Sequence, residues 1–362
     1  MTNWAETSLG EACELYQPKT IASSELVENG PFLVYGANGV IGRYHSFNHE
    51  ESQLLVTCRG ATCGAVNVSA PRAWINGNAM VVKPRTSTLD LKFLEHIFRG
   101  GIDLSSAITG AAQPQITRQS LAPIRISFPP LPEQRRIAAI LDQADALRAK
   151  RQEALAQLDS LTQSIFIAMF GDPRQLPSSW PSAPLKALGR VTTGRTPPSS
   201  KEGMFGGTVP FITPGDLDSG EPAKRMLTED GVVEVSPVRA GAALVCCIGT
   251  IGKMGIAKVR SAFNQQINAV DWGETVDDAY GLAALRFLRG QLAAQAASTT
   301  VPILNKSAFE RFEIQVPPLA LQGTFAARIQ AVESLKTTHR AALTELDALF
   351  ASLQHRAFAG TL

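Results

Sequence analysis

The sequence predicts an α+β protein: two mixed α/β domains separated by two long helices, the helices forming an antiparallel coiled coil and the whole carrying a pseudo-two-fold internal repeat. Three observations lead there. The chain has 362 residues, 44% hydrophobic and 18% charged, too many for one ordinary core and too apolar for disorder. The stretches 128–150 (FPPLPEQRRIAAILDQADALRAK) and 316–338 (VPPLALQGTFAARIQAVESLKTT) each open on a Pro-Pro hinge and continue with helical periodicity. Finally, the sequence falls into register with itself at a shift of 188 positions.

At that shift TCRGATCG (57–64) meets VCCIGTIG (245–252), INGNAMVV (75–82) meets FNQQINAV (263–270), and QPQI (113–116) meets VPIL (301–304). Pro-Pro-Leu recurs at 129–131 and 317–319, and Gln134 meets Gln322. Ordered matches at one shift imply duplication, although the parts before Thr57 and Val245 align poorly.

Residues 1–128 and 172–316 form the two domains, each of ordinary domain size. Apolar runs at 32–35, 53–58, 242–248 and 267–271, bounded by Gly, Asn and Pro, predict strands and turns. One helix is expected in each copy ahead of the Gln113 or Val301 turn, over 91–99 and 279–297.

Residues 129–171 and 317–362 are the spacer helices. Pro132 suits a first helical turn and Glu133 the positive helix N-terminus. One seam row holds Ile137, Ala144, Arg151, Leu158 and Ile165; the companion row holds Ile140, Leu147, Ala154, Leu161 and Ala168. Gly171-Asp172-Pro173 stops the helix. In the second copy the rows are Phe325, Val332, His339, Leu346, Leu353 and Leu335, Ala342, Leu349, with Arg328 interrupting the companion row near its start. About 38 residues span roughly 57 Å per helix. Arg151 and His339 are the polar seam residues that the shift pairs. They either fix the register where antiparallel helices meet at their midpoints or snorkel outward.

Composition also limits function. A net charge of +2 does not announce a strongly basic nucleic-acid binder. Cys13, Cys58, Cys63, Cys246 and Cys247 are odd in number and include no CxxC, which suits buried thiols in a reducing compartment. The N-terminal MTNWAETSLGEACEL has no apolar signal-peptide core, and the most apolar run, 240–256, is broken by Gly249, Gly252, Lys253 and Gly255. A cytoplasmic protein with no membrane partner is expected. There is no phosphate-binding loop, no Gly-rich S-adenosylmethionine signature and no Asn-Pro-Pro-aromatic motif. Asp216, Glu221 and Lys224 lack nuclease spacing, and His45 and His49 have no Cys nearby to complete a metal site. No catalytic or metal-ligating residue is expected.

The block PPLPEQRRIAAILDQADALRAKRQEALAQLDSLTQSIFIAMFGDP, ahead of a second globular segment and a second helix, resembles the specificity (S) subunit of type I restriction-modification systems. VYGANGVIGRYHSF (34–47) and TGRTPPSSKEGMFGGTVPFITPGDL (193–217) resemble stretches of its target-recognition domains. The resemblance implies that each domain reads one half of a split site on double-stranded DNA, with the helices as a ruler between the halves. It implies that the helices dock two methyltransferase subunits, which bind S-adenosylmethionine, and that restriction subunits join them. The chain itself would hold no cofactor and no catalytic centre. The second hinge departs from the pattern: Leu321, Gly323 and Thr324 stand where the first has Glu133, Arg135 and Arg136. Acids and bases balance along the first helix, which suits protein contacts better than a phosphate track. Glu133, Arg135, Arg136, Arg151 and His339 are the candidate docking residues.

Reading bases takes paired donors and acceptors on loops. The first domain offers Tyr35, Asn38, Arg43, Arg59, Thr62, Asn76, Asn78, Gln113 and Gln115. The second offers Arg195, Thr196, Thr213, Thr250, Lys253, Asn264, Gln265, Gln266, Asn305 and Lys306. Arg59, Arg195 and Lys253, cations in Gly-rich turns, suit phosphates. Competing roles are open: Asn beside Gly serves turns, Tyr35 can plug the core, and Gln113-Pro114-Gln115 can brace the hinge. Two other readings stand beside DNA recognition. One is a protein-binding scaffold with duplicated interaction domains, which would show apolar pockets in place of concave basic faces. The other is the detached recognition part of a larger restriction-methyltransferase.

Overall fold

The computed structural model describes residues 4–110, 113–175, 180–198, 200–217, 222–296 and 301–362. The chain divides into two compact units, Met1–Glu153 with Arg340–Leu362, and Ala154–His339.

In the first unit, four antiparallel strands run in the order Cys13–Tyr16, Ala79–Pro84, Leu54–Thr57, Val66–Val68. Every residue of Leu54–Thr57 is buried, because both faces of the sheet are covered. Leu54, Val56, Met80 and Val82 pack on a helical layer with Phe93, Leu94, Ile137 and Leu141. Leu55, Ala79 and Val81 pack on Tyr35 and Ile75. Side chains alternate between faces at every residue, so a strand covered on both sides reads as a continuous apolar run. Tyr35 and Ile75 belong to a second sheet, Gly39–Tyr44, Phe32–Gly36, Trp74–Ile75, antiparallel at the first pair and parallel at the second. A two-stranded ribbon, Ala5–Ser8 with Arg125–Phe128, brings the chain to the hinge.

The second unit repeats this plan. Its four-stranded sheet has the order Gly189–Thr193, Ile267–Trp272, Ala243–Cys246, Met254–Ile256. Its three-stranded sheet is Arg225–Leu227, Phe205–Ile212, Ala262–Phe263, again one antiparallel and one parallel pair. Its ribbon is Ser182–Pro184 with Glu313–Gln315. The duplication therefore extends through the first halves, where the sequences have diverged.

The repeat is not free of gaps. Ile116 N–H donates to the Cys58 carbonyl, and Leu304 N–H to the Cys247 carbonyl. Cys58 thus corresponds to Cys247 and not to Cys246, and Gly60 (φ 87°) corresponds to Gly249 (φ 80°). One residue is missing from the turn before Gly252. The helix expected over 279–297 is two, Asp278–Phe287 and Arg289–Ala294. Leu288 leaves helical geometry (φ −93°, ψ 12°) with its side chain buried beside Leu285 and Leu292; Ala297 lies outside the described residues.

The long helices are Leu131–Phe170 and Leu319–Phe358, 40 residues each. Both start on the same device. The Gln134 side chain accepts from Asp90 N–H and donates to the Thr88 and Pro129 carbonyls, all at 2.8 Å. Gln322 accepts from Asp277 N–H at 2.8 Å and donates to the Thr275 and Pro317 carbonyls at 3.1 and 2.8 Å. Both glutamines are fully buried. Asp90 and Asp277 are themselves the N-caps of the helices Leu91–His96 and Asp278–Phe287. Each Gln thus ties the long helix to the start of its domain's own helix.

The helices pair antiparallel within each unit. Arg136 reaches the Leu362 carbonyl and Arg148 reaches Asp347 in the first. In the second, Lys336 reaches Asp159, and Phe325 packs on Phe166 and Phe170. The expected first row holds: Ile137, Ala144, Phe325 and Val332 are buried. The companion row does not. Leu147, Leu161, Leu335 and Leu349 are 41–52% exposed, and the inward row lies one residue further on: Leu141, Arg148, Leu155, Thr162, Met169 and Ile329, Lys336, Leu343, Phe350, Ala357. The inward row contains two cations, which made its neighbour look the more apolar. Both cations are paired in the same way. Arg148 bonds Asp145 and Asp347, while Lys336 bonds Glu333 and Asp159. The shift of 188 maps one triad onto the other.

Candidate nucleic-acid interface

The strand ends of each four-stranded sheet lead into loops that the backbone binds together. In the first unit the turn after Leu54–Thr57 is held by Cys58 N–H to the Asn78 carbonyl (3.4 Å) and Gly60 N–H to the Pro114 carbonyl (3.2 Å), with a β-bridge between Arg59 and Gln115. The Thr57 hydroxyl donates to the Ala37 carbonyl at the hairpin tip, and Asn67 donates to Asn38 (3.4 Å). Asn38, Arg59, Thr62, Asn78, Gln113 and Gln115 are all exposed there. The loops thus gather six of the nine first-domain candidates on one surface.

The other three fall elsewhere. Tyr35 is 8% exposed, lies in the core, and its hydroxyl accepts from Ala70 N–H. Asn76 is buried, its carbonyl oxygen accepting from Ile21 N–H and the Trp74 indole. Both build the domain and cannot reach a base. Arg43 is exposed but bonds back to the Gly30 carbonyl at 2.9 Å.

The second unit makes the equivalent surface with the same backbone bonds: Cys247 N–H to the Gln266 carbonyl, Gly249 N–H to the Pro302 carbonyl (2.8 and 2.9 Å), and a bridge between Ile248 and Ile303. Exposed Thr196 bonds the Gln265 carboxamide (2.7 Å), Asn264 donates to Gln266 (2.9 Å), and Arg195 N–H is held by the Phe263 carbonyl (3.0 Å). Thr250 is exposed and Lys253 half-buried in the neighbouring turn. Thr213 sits where the strand before it meets the Asn264 turn, but its hydroxyl and N–H both bond Asp216 (2.7 and 2.8 Å). Burial pushes the Asp216 carboxyl up, and the two Thr213 bonds together with the N–H and charge of Lys224 overcome this and hold it below the usual range. Asp216 is a turn brace, and Glu221 lies outside the described residues. Asn305 is the N-cap of Lys306–Arg311, accepting from Ala308 N–H, and Lys306 pairs with Glu310 on that helix. Their polarity serves the helix start.

Two polar residues not singled out from sequence join these surfaces. Asn67 faces Asn38. The Arg289 stem covers Gly252 so closely that a Cβ there would meet its Cγ at 2.6 Å. Arg289 is the first residue of the helix that follows the break at Leu288. Among the described residues no group of three or more His, Cys, Asp and Glu is placed to hold a metal. His49 is bonded to Tyr16 (2.8 Å) and Asn48 (2.6 Å). No described helix is long and apolar enough to cross a membrane. The five cysteines are unbridged, and burial pushes the Cys13 and Cys247 thiols up to about 12.

On the long helices, Glu133 and Arg136 form a two-bond ion pair (2.7 and 2.8 Å) and Arg135 approaches Asp90 at 3.8 Å. Arg151 and His339 are half-buried and belong to different units. His339 borders a groove of about 420 Å³ with Ala154, Leu158 and Leu161.

The chain is a duplicated α+β protein in which each unit carries hydrogen-bonding loops and an antiparallel helix pair. The model for the type I restriction modification DNA specificity domain matches residues 1–157 and again 177–347, and the chain belongs to that family. It is 22% identical over 302 residues to a Methanocaldococcus jannaschii protein provisionally described as a type I restriction enzyme specificity subunit, covering 75% of this chain and 68% of that one. It is 25% identical over 144 residues to the EcoprrI specificity subunit of Escherichia coli, covering 39% and 35%. The crystal structure of an S subunit from M. genitalium shares the fold at a TM-score of 0.70 and 15% identity, over 99% of this chain and 96% of that one. A structure from work on assembly and conformational transition of the type I system aligns at 0.56 and 19%, over 99% and 98%.

Proposed function

We propose that this chain, a type I specificity subunit, reads a split site on double-stranded DNA, one half with each loop surface, and carries no chemistry itself. The observation that supports this most is that the same backbone bonds project the same loops in both units, while the side chains on them differ. A constant frame with changed side chains is what reading two different half-sites requires. Asn38, Arg59, Thr62, Asn78, Gln113 and Gln115 serve the first half. Arg195, Thr196, Thr250, Lys253, Asn264, Gln265 and Gln266 serve the second, with Arg59, Arg195, Lys253 and Arg289 facing phosphates.

The partners are two methyltransferase subunits, each supplying S-adenosylmethionine, with restriction subunits added to that core in the cytoplasm. Leu147 and Leu349 in the first unit, and Leu161 and Leu335 in the second, are exposed beside the intramolecular seam. A helix of a partner subunit packing beside the seam of each unit would bury them. Glu133, Arg135 and Arg136 start the helix of the first unit, and Leu321, Gly323 and Thr324 stand in their places in the second. Methylation mapping in cells carrying this chain and its methyltransferase tests the reading. Exchanging the first domain should change one half of the methylated motif, and a motif unchanged in both halves refutes it. Leu147→Asp with Leu349→Asp should leave the melting temperature within about 2 °C, since exposed sites carry little stability, and should abolish co-purification of one methyltransferase subunit. Retention of both subunits refutes this docking surface.

A further inference from the structure

The two reading surfaces are built on one frame but differ in chemistry at one place. In the first unit the bridge pairs Arg59 with Gln115, beside exposed Gln113. In the second unit the same bridge pairs Ile248 with Ile303. Ile303 is 40% exposed, and Val301, where Gln113 stands in the first unit, is 47% exposed. Three polar positions have become a β-branched apolar ledge, although the backbone bonds from Cys58 or Cys247 and from Gly60 or Gly249 are unchanged. The ledge is not a covered core surface. It adjoins Thr250 and the Asn264–Gln266 turn, the groups assigned above to base edges.

Resting on the DNA reading proposed above, we propose that Ile248, Val301 and Ile303 recognise thymine 5-methyl groups in the major groove of the half-site read by the second unit. At the equivalent place in the first unit, Gln113 and Gln115 read purine edges by hydrogen bonds and Arg59 faces a phosphate. The thymine methyl is the one apolar group that a base pair presents in the major groove. An apolar ledge gains there and leaves donors and acceptors of other bases unsatisfied. The second half-site therefore contains A·T pairs at the ledge, and discrimination there comes from methyl burial.

The test uses the complex of the full chain with its methyltransferase and duplexes carrying the mapped site, with thymine replaced by deoxyuridine in one half at a time. Burying one methyl corresponds to about four-fold in affinity. Uracil in the second half should weaken binding by about four-fold per contacted base, and uracil in the first half should leave it within two-fold. In the Ile303→Gln variant the uracil effect should shrink by the share of one methyl, about four-fold. The wild-type comparison stands without the variant, so a variant that misfolds does not remove the test. Equal uracil sensitivity in the two halves, insensitivity of both, or a mapped second half made only of G·C pairs overturns the ledge while leaving DNA reading intact. A complex with no sequence preference at all overturns DNA reading itself.

Discussion

Replacing Gln134 with Ala probes the joint between domain and helix. The side chain is fully buried and makes three hydrogen bonds of 2.8 Å. Truncation strands one amide donor and two carbonyls. A stranded buried N–H costs about 2 kcal/mol and each carbonyl about 1 kcal/mol, because an orphaned carbonyl is the better tolerated. The expected loss is about 4 kcal/mol, a large fraction of a domain's stability. For a unit of this size it lowers the melting temperature by roughly 8–16 °C. Urea and thermal unfolding of the full chain, followed by circular dichroism, measure it. Gln322→Ala should lose a similar amount, since Gln322 makes the same three bonds. Gln134→Glu should be no better than Ala: its carboxylate keeps the Asp90 bond but turns a second acceptor toward the Thr88 and Pro129 carbonyls. A Gln134→Ala loss below about 1 kcal/mol would refute the reasoning, because the three bonds would then be replaceable by water.

Three further outcomes are expected. Lys336→Met should change stability by no more than about 1 kcal/mol in urea unfolding. The methionine occupies the buried stem, and the Glu333 and Asp159 side chains, 50% and 68% exposed, stay hydrated; a loss above 3 kcal/mol would make the ion pair a net driver. The Glu11 carboxyl should titrate near 2 by NMR, held below its ordinary 4.5 by the Ser8 N–H and by the Thr7 and Ser8 hydroxyls. With its folded value depressed, its contribution is present above pH 4.5 and is lost as pH falls through 2. Glu11→Gln should flatten that acid limb, and a midpoint near 4.5 would contradict the capping geometry.

The repeat and the hinge could be read directly because their signals are local and dense. A Pro-Pro step, a fixed Gln and heptad spacing survive divergence, and Gln134 and Gln322 match at the same shift as the hinges. The strands at 32–35, 53–58, 242–248 and 267–271 lie within or one to two residues beyond Phe32–Gly36, Leu54–Thr57, Ala243–Cys246 and Ile267–Trp272, since doubly covered strands form apolar runs. The inward helix row is not legible in the sequence, because Arg148 and Lys336 have the character of surface residues and their cross-helix carboxylates, Asp347 and Asp159, are remote in the chain. Tyr35 and Asn76 could not be told from reading residues, because a polar side chain bonded inside a domain and one bonding DNA have the same letters. Arg289 follows a helix break that no local pattern marks, and its contact with Gly252 is remote in sequence.

The paired charge triads have a consequence for origin. Arg148 and Asp159 lie on one helix, and their partners Asp347 and Lys336 occupy the matching places on the other. Each half of the chain therefore owns both a cation and the carboxylate that would accept it from an identical half. Two copies of a single half could close both bonds across a true dyad, as an isologous dimer. Sedimentation of a fragment ending at residue 175 would show this, and a purely monomeric fragment would argue against it. On this view the fused gene retained the contacts of a homodimer and gained freedom for its two reading surfaces to differ.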